Sequence, residues 1–284
     1  MVNVLGRDAE DIVRAAGALP RRARFSQARL DSARRTLGER VAVPGTAWVA
    51  DPRVNRVVVT ADNTVTGAKL KQLDEVVSEL DEAVTVRRIT TRLTRFVAGG
   101  DAVHGPGARC SLGFNVVKDG QPYFLTAGHC GKAISAWSVT RGGPRIAATE
   151  KTVFPGGDYA FAKYTDGGVP HPSEVVLGNG RTQTVTGARR AALNEKVWRS
   201  GSTTGVHEGH VTGLDATVNY EEGRVDGLIR TDVCAEPGDS GGPLFSGGDA
   251  LGVTSGGSGN CRAGGETYYQ PVPAALEAFG AHTG

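Results

Sequence analysis

No run of 18 apolar residues occurs in the chain, which argues against a membrane-spanning helix. An excess of either charge is also missing. The 32 Lys+Arg and 30 Asp+Glu leave a net of +2, so nothing global calls for nucleic acid or a membrane surface. Cysteine occurs only four times (Cys110, Cys130, Cys234, Cys261) and never as a CxxC pair, which disfavours a structural zinc site. An even count in glycine-rich sequence reads instead as two disulfides and an oxidising compartment, with three pairings open. Glycine is scarce in one region: 5 of the 41 lie in residues 1–96 and the other 36 in residues 97–284. Charge divides at the same place. Residues 1–96 carry 17 Lys+Arg against 12 Asp+Glu, a net of +5, and the remainder stands at −3. Opposite signs favour docking of one part on the other, weakly across solvent. Residues 1–8 lack the basic head and apolar core of a signal peptide, so a secreted protein requires that such a segment was removed or omitted.

The two parts also differ in pattern. Residues 8–18 and 26–41 are predicted to be helical, the second with Phe25, Leu30, Ala33 and Leu37 at near-helical spacing. Residues 46–50 and 55–60 read as a hairpin around Asp51-Pro52. Thr66 stands at the start of a helix through Leu70, Leu73, Val76, Val77 and Leu80, and a strand follows over residues 83–89. The front is thus a small α+β unit. A boundary falls within residues 93–100, where the sequence turns glycine-rich. Beyond Cys110, short strands alternate with Gly, Asn and Asp turns, and no helix is evident until residues 274–280. That is the signature of an all-β barrel or sandwich with one terminal helix.

Two segments carry the chemistry. Ala235-Glu236-Pro237-Gly238-Asp239-Ser240-Gly241-Gly242-Pro243 presents a serine in a glycine-rich turn that can expose the hydroxyl and aim backbone N–H groups at the same point. Leu125-Thr126-Ala127-Gly128-His129-Cys130 offers a base whose ordinary pKa lies near neutrality. Between them, Asp158 sits in a turn leading into the apolar strand Tyr159-Ala160, where a carboxylate can be partly buried and orient the imidazole. Gly238-Asp239-Ser240-Gly241-Gly242 also fits the nucleophile elbow of α/β hydrolases. That fold needs a helix after the serine and the order serine, acid, histidine, whereas here Pro243 follows, the only later histidine is His282 near the chain end, and the only later Asp is Asp249. The order His129, Asp158, Ser240 belongs instead to the chymotrypsin arrangement. His207 and His210 lie on a strand whose alternation would turn them to opposite faces, which disfavours a metal pair.

Residues 97–284 resemble the streptogrisin and alpha-lytic protease group of bacterial chymotrypsin-like serine proteases. The resemblance rests on Arg109-Cys110-Ser111-Leu112-Gly113-Phe114-Asn115-Val116, Gly201-Ser202-Thr203-Thr204-Gly205, Val211-Thr212-Gly213-Leu214, Thr254-Ser255-Gly256-Gly257-Ser258-Gly259-Asn260-Cys261 and the two segments above. It implies two six-stranded β-barrels with a triad of His129, Asp158 and Ser240 in the cleft, and an oxyanion hole from the N–H groups of Gly238 and Ser240. It also implies disulfides Cys110–Cys130 and Cys234–Cys261, with Ala235, Glu236, Pro237, Ser255, Gly256, Gly257 and Thr267 around the substrate pocket. The front resembles the family's pro-segment through Gly45-Thr46-Ala47-Trp48-Val49, Asp51-Pro52-Arg53 and Val57-Val58-Val59. The expectation is therefore a secreted serine endopeptidase made as a zymogen: a folding and inhibitory segment over residues 1–96, and a protease domain over 97–284. The mature form is expected to be a monomer acting on protein or peptide substrates, with no metal or cofactor.

A pocket roomy at Gly256 and Gly257 implies preference for a large apolar residue before the cut. Self-cleavage between Phe96 and Val97 would agree. Thr254 stands where glutamate-specific relatives would have histidine. Asp232 and Glu266 pull the other way, because an inward carboxylate from either would favour Arg or Lys and make a cut after Arg95 natural. A non-catalytic protease-like binding module is disfavoured by the presence of all three triad residues and the oxyanion turn. A permanently inhibited pro-form is the remaining alternative.

Overall fold

The computed structural model describes residues 1–90, 93 and 97–284. Two compact units are present, Met1–Thr94 and Arg95–Gly284. Of the expected cleavage pair, Phe96 lies outside the described residues and Val97 within them.

The first unit packs helices on a small sheet. Strands Thr46–Asp51 and Arg56–Ala61 form the expected antiparallel hairpin, turning at Asn55. Val84–Arg88 then joins Arg56–Ala61 in parallel. A parallel neighbour needs a crossover, and the helix Gly67–Glu79 supplies it. Alternation along Arg56–Ala61 turns Val57, Val59 and Ala61 inward, where they meet Leu30, Ala33 and Leu37 of the helix Gln27–Arg40 and Leu73 and Val76 of the crossover helix. Ser26 caps the former helix by accepting the Arg29 N–H. Thr66 occupies the N-cap place of the latter, but its hydroxyl caps nothing there. The helix Arg7–Ala15 buries no residue. Short strands Val2–Val4 and Pro20–Arg22 pair on either side of it, too brief to show a period in sequence.

The second unit is β-rich. One sheet runs in the order Ala136–Trp137, Ala147–Val153, Tyr159–Tyr164, Gln121–Thr126, Phe114–Lys118, His282–Thr283. Its core is built from Leu112, Phe124, Ile134, Trp137 and Tyr164. In the other sheet, Asp249–Asn260, Pro243–Ser246, Lys196–Gly201, Gly205–Tyr220, Gly223–Thr231 and Gly264–Pro271 follow one another. Gly264–Pro271 pairs back onto Asp249–Asn260, so these six strands close into a barrel, with Gly187–Ala188 attached outside. Val197, Val211, Ile229, Leu244, Leu251 and Tyr269 fill it. The helix Val272–Phe279 ends at Gly280 in the left-handed region and packs Val272, Leu276 and Phe279 between the two sheets.

One feature departs from the sequence expectation and another was not foreseen by it. A short helix, Gly128–Ala133, carries His129. Six residues are too few to show a helical period, so it could not be read from the pattern. The start of the unit is also tied down. Val97 is buried, its N–H donates to the Pro170 carbonyl (3.0 Å), and its carbonyl accepts from Asn115 Nδ2 (2.7 Å). The same Nδ2 reaches Pro172 O, while Asn115 Oδ1 accepts from the Tyr164 hydroxyl.

Candidate active site

Asp158 is fully buried at the start of the strand Tyr159–Tyr164. Its carboxylate survives burial because every side of it is bonded. Oδ2 lies 3.0 Å and Oδ1 3.2 Å from His129 Nδ1, and Oδ1 also accepts the His129 backbone N–H at 2.8 Å. The Ser255 hydroxyl donates to Oδ2 at 2.6 Å. The Asp158 backbone N–H is spent on Gln270 Oε1 at 2.8 Å, which fixes the turn from the other barrel. With Nδ1–H donated to the carboxylate, the tautomer that satisfies these contacts leaves Nε2 as an acceptor at the exposed edge of the ring. The imidazole is 31% exposed and meets Phe154 edge to face at 5.9 Å.

The serine turn abuts the histidine segment directly. Gly241 has φ of +83°, and a Cβ there would lie 2.1 Å from Thr126 Oγ1 and 2.9 Å from Ala127 N, two residues before His129. Only glycine allows that approach. Ser111 N–H donates to Ser240 O at 2.8 Å, a second tie between the barrels. Among the described residues no hydrogen bond joins the Ser240 hydroxyl to His129, a contact that in proteases free of substrate is often long. Within the turn, Asp239 N–H donates to Glu236 O and Gly241 N–H to Thr254 O. The alternate N–H groups, those of Gly238 and Ser240, donate to no protein acceptor among the described residues. Two unspent donors beside a serine are what an oxyanion needs.

Asp239, the neighbour of Ser240, is a structural acid. It is fully buried against the equally buried Arg199, Oδ2 to Nη1 3.1 Å. It also accepts from the N–H groups of Thr203, Thr204 and Glu236 and from the Thr204 hydroxyl. Burial pushes this carboxyl up, but Arg199, the Thr204 hydroxyl and the N–H donors together hold it below the usual carboxylate range.

Ser255, Gly256 and Gly257 line a cavity of about 500 Å³ beside His129, together with Phe154 and Tyr220. Tyr220 covers Gly256 and its hydroxyl lies 3.1 Å from Ser255 Oγ. Ala235, Glu236, Pro237 and Thr267 are not in that lining. Glu236 Oε1 accepts the Cys261 N–H, and Thr267 lies opposite Gly257 in the strand register, buried, its hydroxyl donating to Val233 O. Disulfides Cys110–Cys130 and Cys234–Cys261 are both formed. The two troubling acids are occupied elsewhere. Asp232 is exposed and accepts the His210 N–H at 2.6 Å, and Glu266 is held by the Tyr268 hydroxyl and Arg230.

Sequence reasoning placed Ser255 in the substrate pocket and missed that it holds Asp158. It missed Gln270 altogether. Arg199 did carry a signal: strand alternation puts it on the same face as Val197, so a charge had to be paired inside the barrel.

Comparison with known proteins bears on this geometry. The trypsin family model matches residues 110–278, and the alpha-lytic protease prodomain model matches residues 25–81. Streptogrisin-D of Streptomyces griseus is 54% identical over 285 residues, covering 100% of this chain and 72% of that protein. Among solved structures, a glutamic acid specific serine protease that uses a histidine triad in substrate binding is 45% identical, with a TM-score of 0.64 over 66% of this chain and 100% of its own. The chymotrypsin of Cellulomonas bogoriensis is 47% identical, with a TM-score of 0.60 over 66% of this chain and 98% of its own. Two barrels, a histidine and a serine turn facing each other, and a separate α+β unit ahead of them find their counterpart here: the chain belongs to the streptogrisin and alpha-lytic protease group of chymotrypsin-like serine proteases, prodomain included.

Proposed function

We propose that the chain is the zymogen of a secreted serine endopeptidase in which Ser240 is the nucleophile, His129 the general base and Asp158 its orienting acid. The observation that carries this is the pairing of His129 Nδ1 with a buried Asp158, next to a turn whose Gly238 and Ser240 N–H groups are unspent. Ser240 Oγ attacks the scissile carbonyl carbon as His129 Nε2 takes the hydroxyl proton. The carbonyl oxygen becomes an anion between the N–H groups of Gly238 and Ser240. His129 returns the proton to the departing amine, leaving the acyl-enzyme. Water then repeats the sequence, with His129 as base, and releases the acid and free Ser240.

The primary pocket takes large apolar side chains. Support comes from the engagement of Asp232 by His210 and of Glu266 by Tyr268 and Arg230, which occupies the two acids that would otherwise favour a basic side chain. The buried Thr254 hydroxyl donates to Gly242 O, and the strand Asp249–Asn260 holds no histidine, which speaks against a glutamate preference. Peptide anilides ending in Phe, Tyr or Leu should be turned over with kcat/KM at least about tenfold above those ending in Arg, Lys or Glu. N-terminal sequencing of the processed product should read from Val97. Faster turnover after Arg, with a start at Phe96, overturns the apolar pocket, and no turnover of any anilide overturns the endopeptidase.

Residues 1–96 act as a folding assistant and inhibitor of residues 97–284. The protease unit needs help on physical grounds, since its first sheet is completed only when His282–Thr283 pairs with Val116 and Val117, about 165 residues away. Such non-local closure makes folding slow. Residues 97–284 alone should regain activity at least about tenfold more slowly than the full chain after dilution from denaturant, and residues 1–96 added in trans should restore the rate. Equal rates overturn this role.

A further inference from the structure

The two unspent N–H groups each belong to a peptide whose other end is pinned. Ser240 N–H shares its peptide with the Asp239 carbonyl, which accepts the Gly242 N–H at 2.9 Å, a backbone turn bond that no side chain controls. Gly238 N–H shares its peptide with the Pro237 carbonyl. That carbonyl is held by a side chain: the Thr203 hydroxyl donates to it at 2.8 Å. Thr203 is itself fixed from two sides. Its Oγ accepts from Arg109 Nη2 at 2.6 Å, and its backbone N–H donates to the buried Asp239 at 2.9 Å.

A pin is needed at this peptide. In a planar trans peptide the N–H and C=O point in opposite directions, so whatever holds Pro237 O on one side aims Gly238 N–H to the other. Gly238 sits at φ of +99°, and glycine is stable at either sign of φ. A half-turn of the Pro237–Gly238 peptide is therefore cheap for the backbone. It would carry the N–H out of the site and swing a carbonyl oxygen toward the place where the substrate oxyanion forms. The approach of the two side chains is close: a Cβ on Gly238 would lie 2.3 Å from Arg109 Nη2 and 2.4 Å from Thr203 Oγ1.

We propose that Thr203, braced by Arg109, is a positioning residue for the oxyanion hole, holding the Pro237–Gly238 peptide in the orientation that points Gly238 N–H at the substrate. The proposal rests on the assignment of Gly238 and Ser240 as oxyanion donors. Among the described residues no hydrogen bond joins Thr203 to Ser240. Its effect runs through one peptide plane, so it acts on the transition state and spares ground-state binding.

The test uses the full chain, allowed to mature, carrying Thr203→Val, Thr203→Ser or Arg109→Met. Thr203→Val keeps the shape and loses the donor. A full oxyanion donor is worth about 100–1,000-fold in kcat, and a donor left free to turn forfeits part of that, so kcat should fall roughly tenfold with KM within about twofold. A peptide aldehyde, whose adduct with the serine places an oxygen in the hole, should bind roughly tenfold more weakly to Thr203→Val, while a product peptide binds as to the parent. Thr203→Ser should restore both values. Arg109→Met should give a smaller loss of the same pattern and carries the test alone if Thr203→Val does not mature. An unchanged kcat, a loss confined to KM, unaltered aldehyde affinity or no rescue by serine overturns the proposal. Stoichiometric organophosphate labelling of Ser240 in each variant separates this outcome from failure of the site assignment: normal labelling with normal kcat removes the pin only, whereas absence of labelling in the parent removes the site itself.

Discussion

Ser240→Ala should lower kcat for peptide anilides by about 10⁴-fold or more, with KM nearly unchanged. The hydroxyl is the side-chain group that bonds to the substrate carbon in the proposed mechanism, so its loss removes the acyl-enzyme route. His129→Ala should cost nearly as much, and the double variant little more than either, because a nucleophile and its base act as one unit. The same substitution has a second readout that needs no substrate. If the chain cuts itself between residues 96 and 97, the parent should yield a fragment of 188 residues on standing, whereas Ser240→Ala should persist at 284 residues on a gel. Retained anilide hydrolysis by Ser240→Ala overturns the assignment.

Asp239→Asn should destabilise the protease unit by about 3–5 kcal/mol, the range found when one partner of a buried ion pair is removed. The reason is Arg199. It is fully buried, and its nearest countercharge is Asp239 Oδ2, so the variant leaves a cation in the barrel with the Thr204 hydroxyl as its main remaining polar contact. Replacing both members, Arg199→Met with Asp239→Leu, should recover much of the loss, since the pair's net worth against apolar packing is small. The sign with pH follows from the depressed carboxyl of Asp239. Its pKa is lower folded than unfolded, so its contribution is complete above the unfolded value near 4 and fades as pH falls through the folded one. Denaturant titrations of the parent should show stability dropping on acidification below about pH 4, with a smaller drop in Asp239→Asn. Equal stability of parent and variant at pH 7, or identical acid limbs, contradicts this account.

What could be read in advance follows how local each signal is. The serine turn, the histidine segment and the glycine-rich strand at Ser255 are contiguous, and their chemistry is written in consecutive residues. Chain order, with Pro243 after the serine, then separated two hydrolase folds. The helix under His129 is less than two turns long, too short for any period. Gln270 and Asp158 meet across 112 residues, and no local pattern in Tyr269-Gln270-Pro271 announces that bond. Thr203 is similar, because its partner is a backbone carbonyl and backbone acceptors leave no trace in composition. Arg199 is the instructive case: alternation with Val197 already put a charge inside the barrel, and only the identity of its partner needed the third dimension. Asp232 and Glu266 show the reverse, two residues whose positions along the chain suggested a pocket and whose hydrogen bonds lead elsewhere.

Val97 is stapled through Asn115 and Pro170, and His282–Thr283 through Val116 and Val117. A working protease at high concentration is surrounded by copies of itself, and whatever it cuts must lie extended across the site for several residues. Loose termini are the part of a folded chain most easily offered that way. A cut before Val97 would leave a stub that is already buried and bonded, with nothing to feed to a neighbouring molecule. Autolysis must then begin in a surface loop or wait for the first sheet to open. Where it waits, the enzyme's lifetime in its own company is set by that opening.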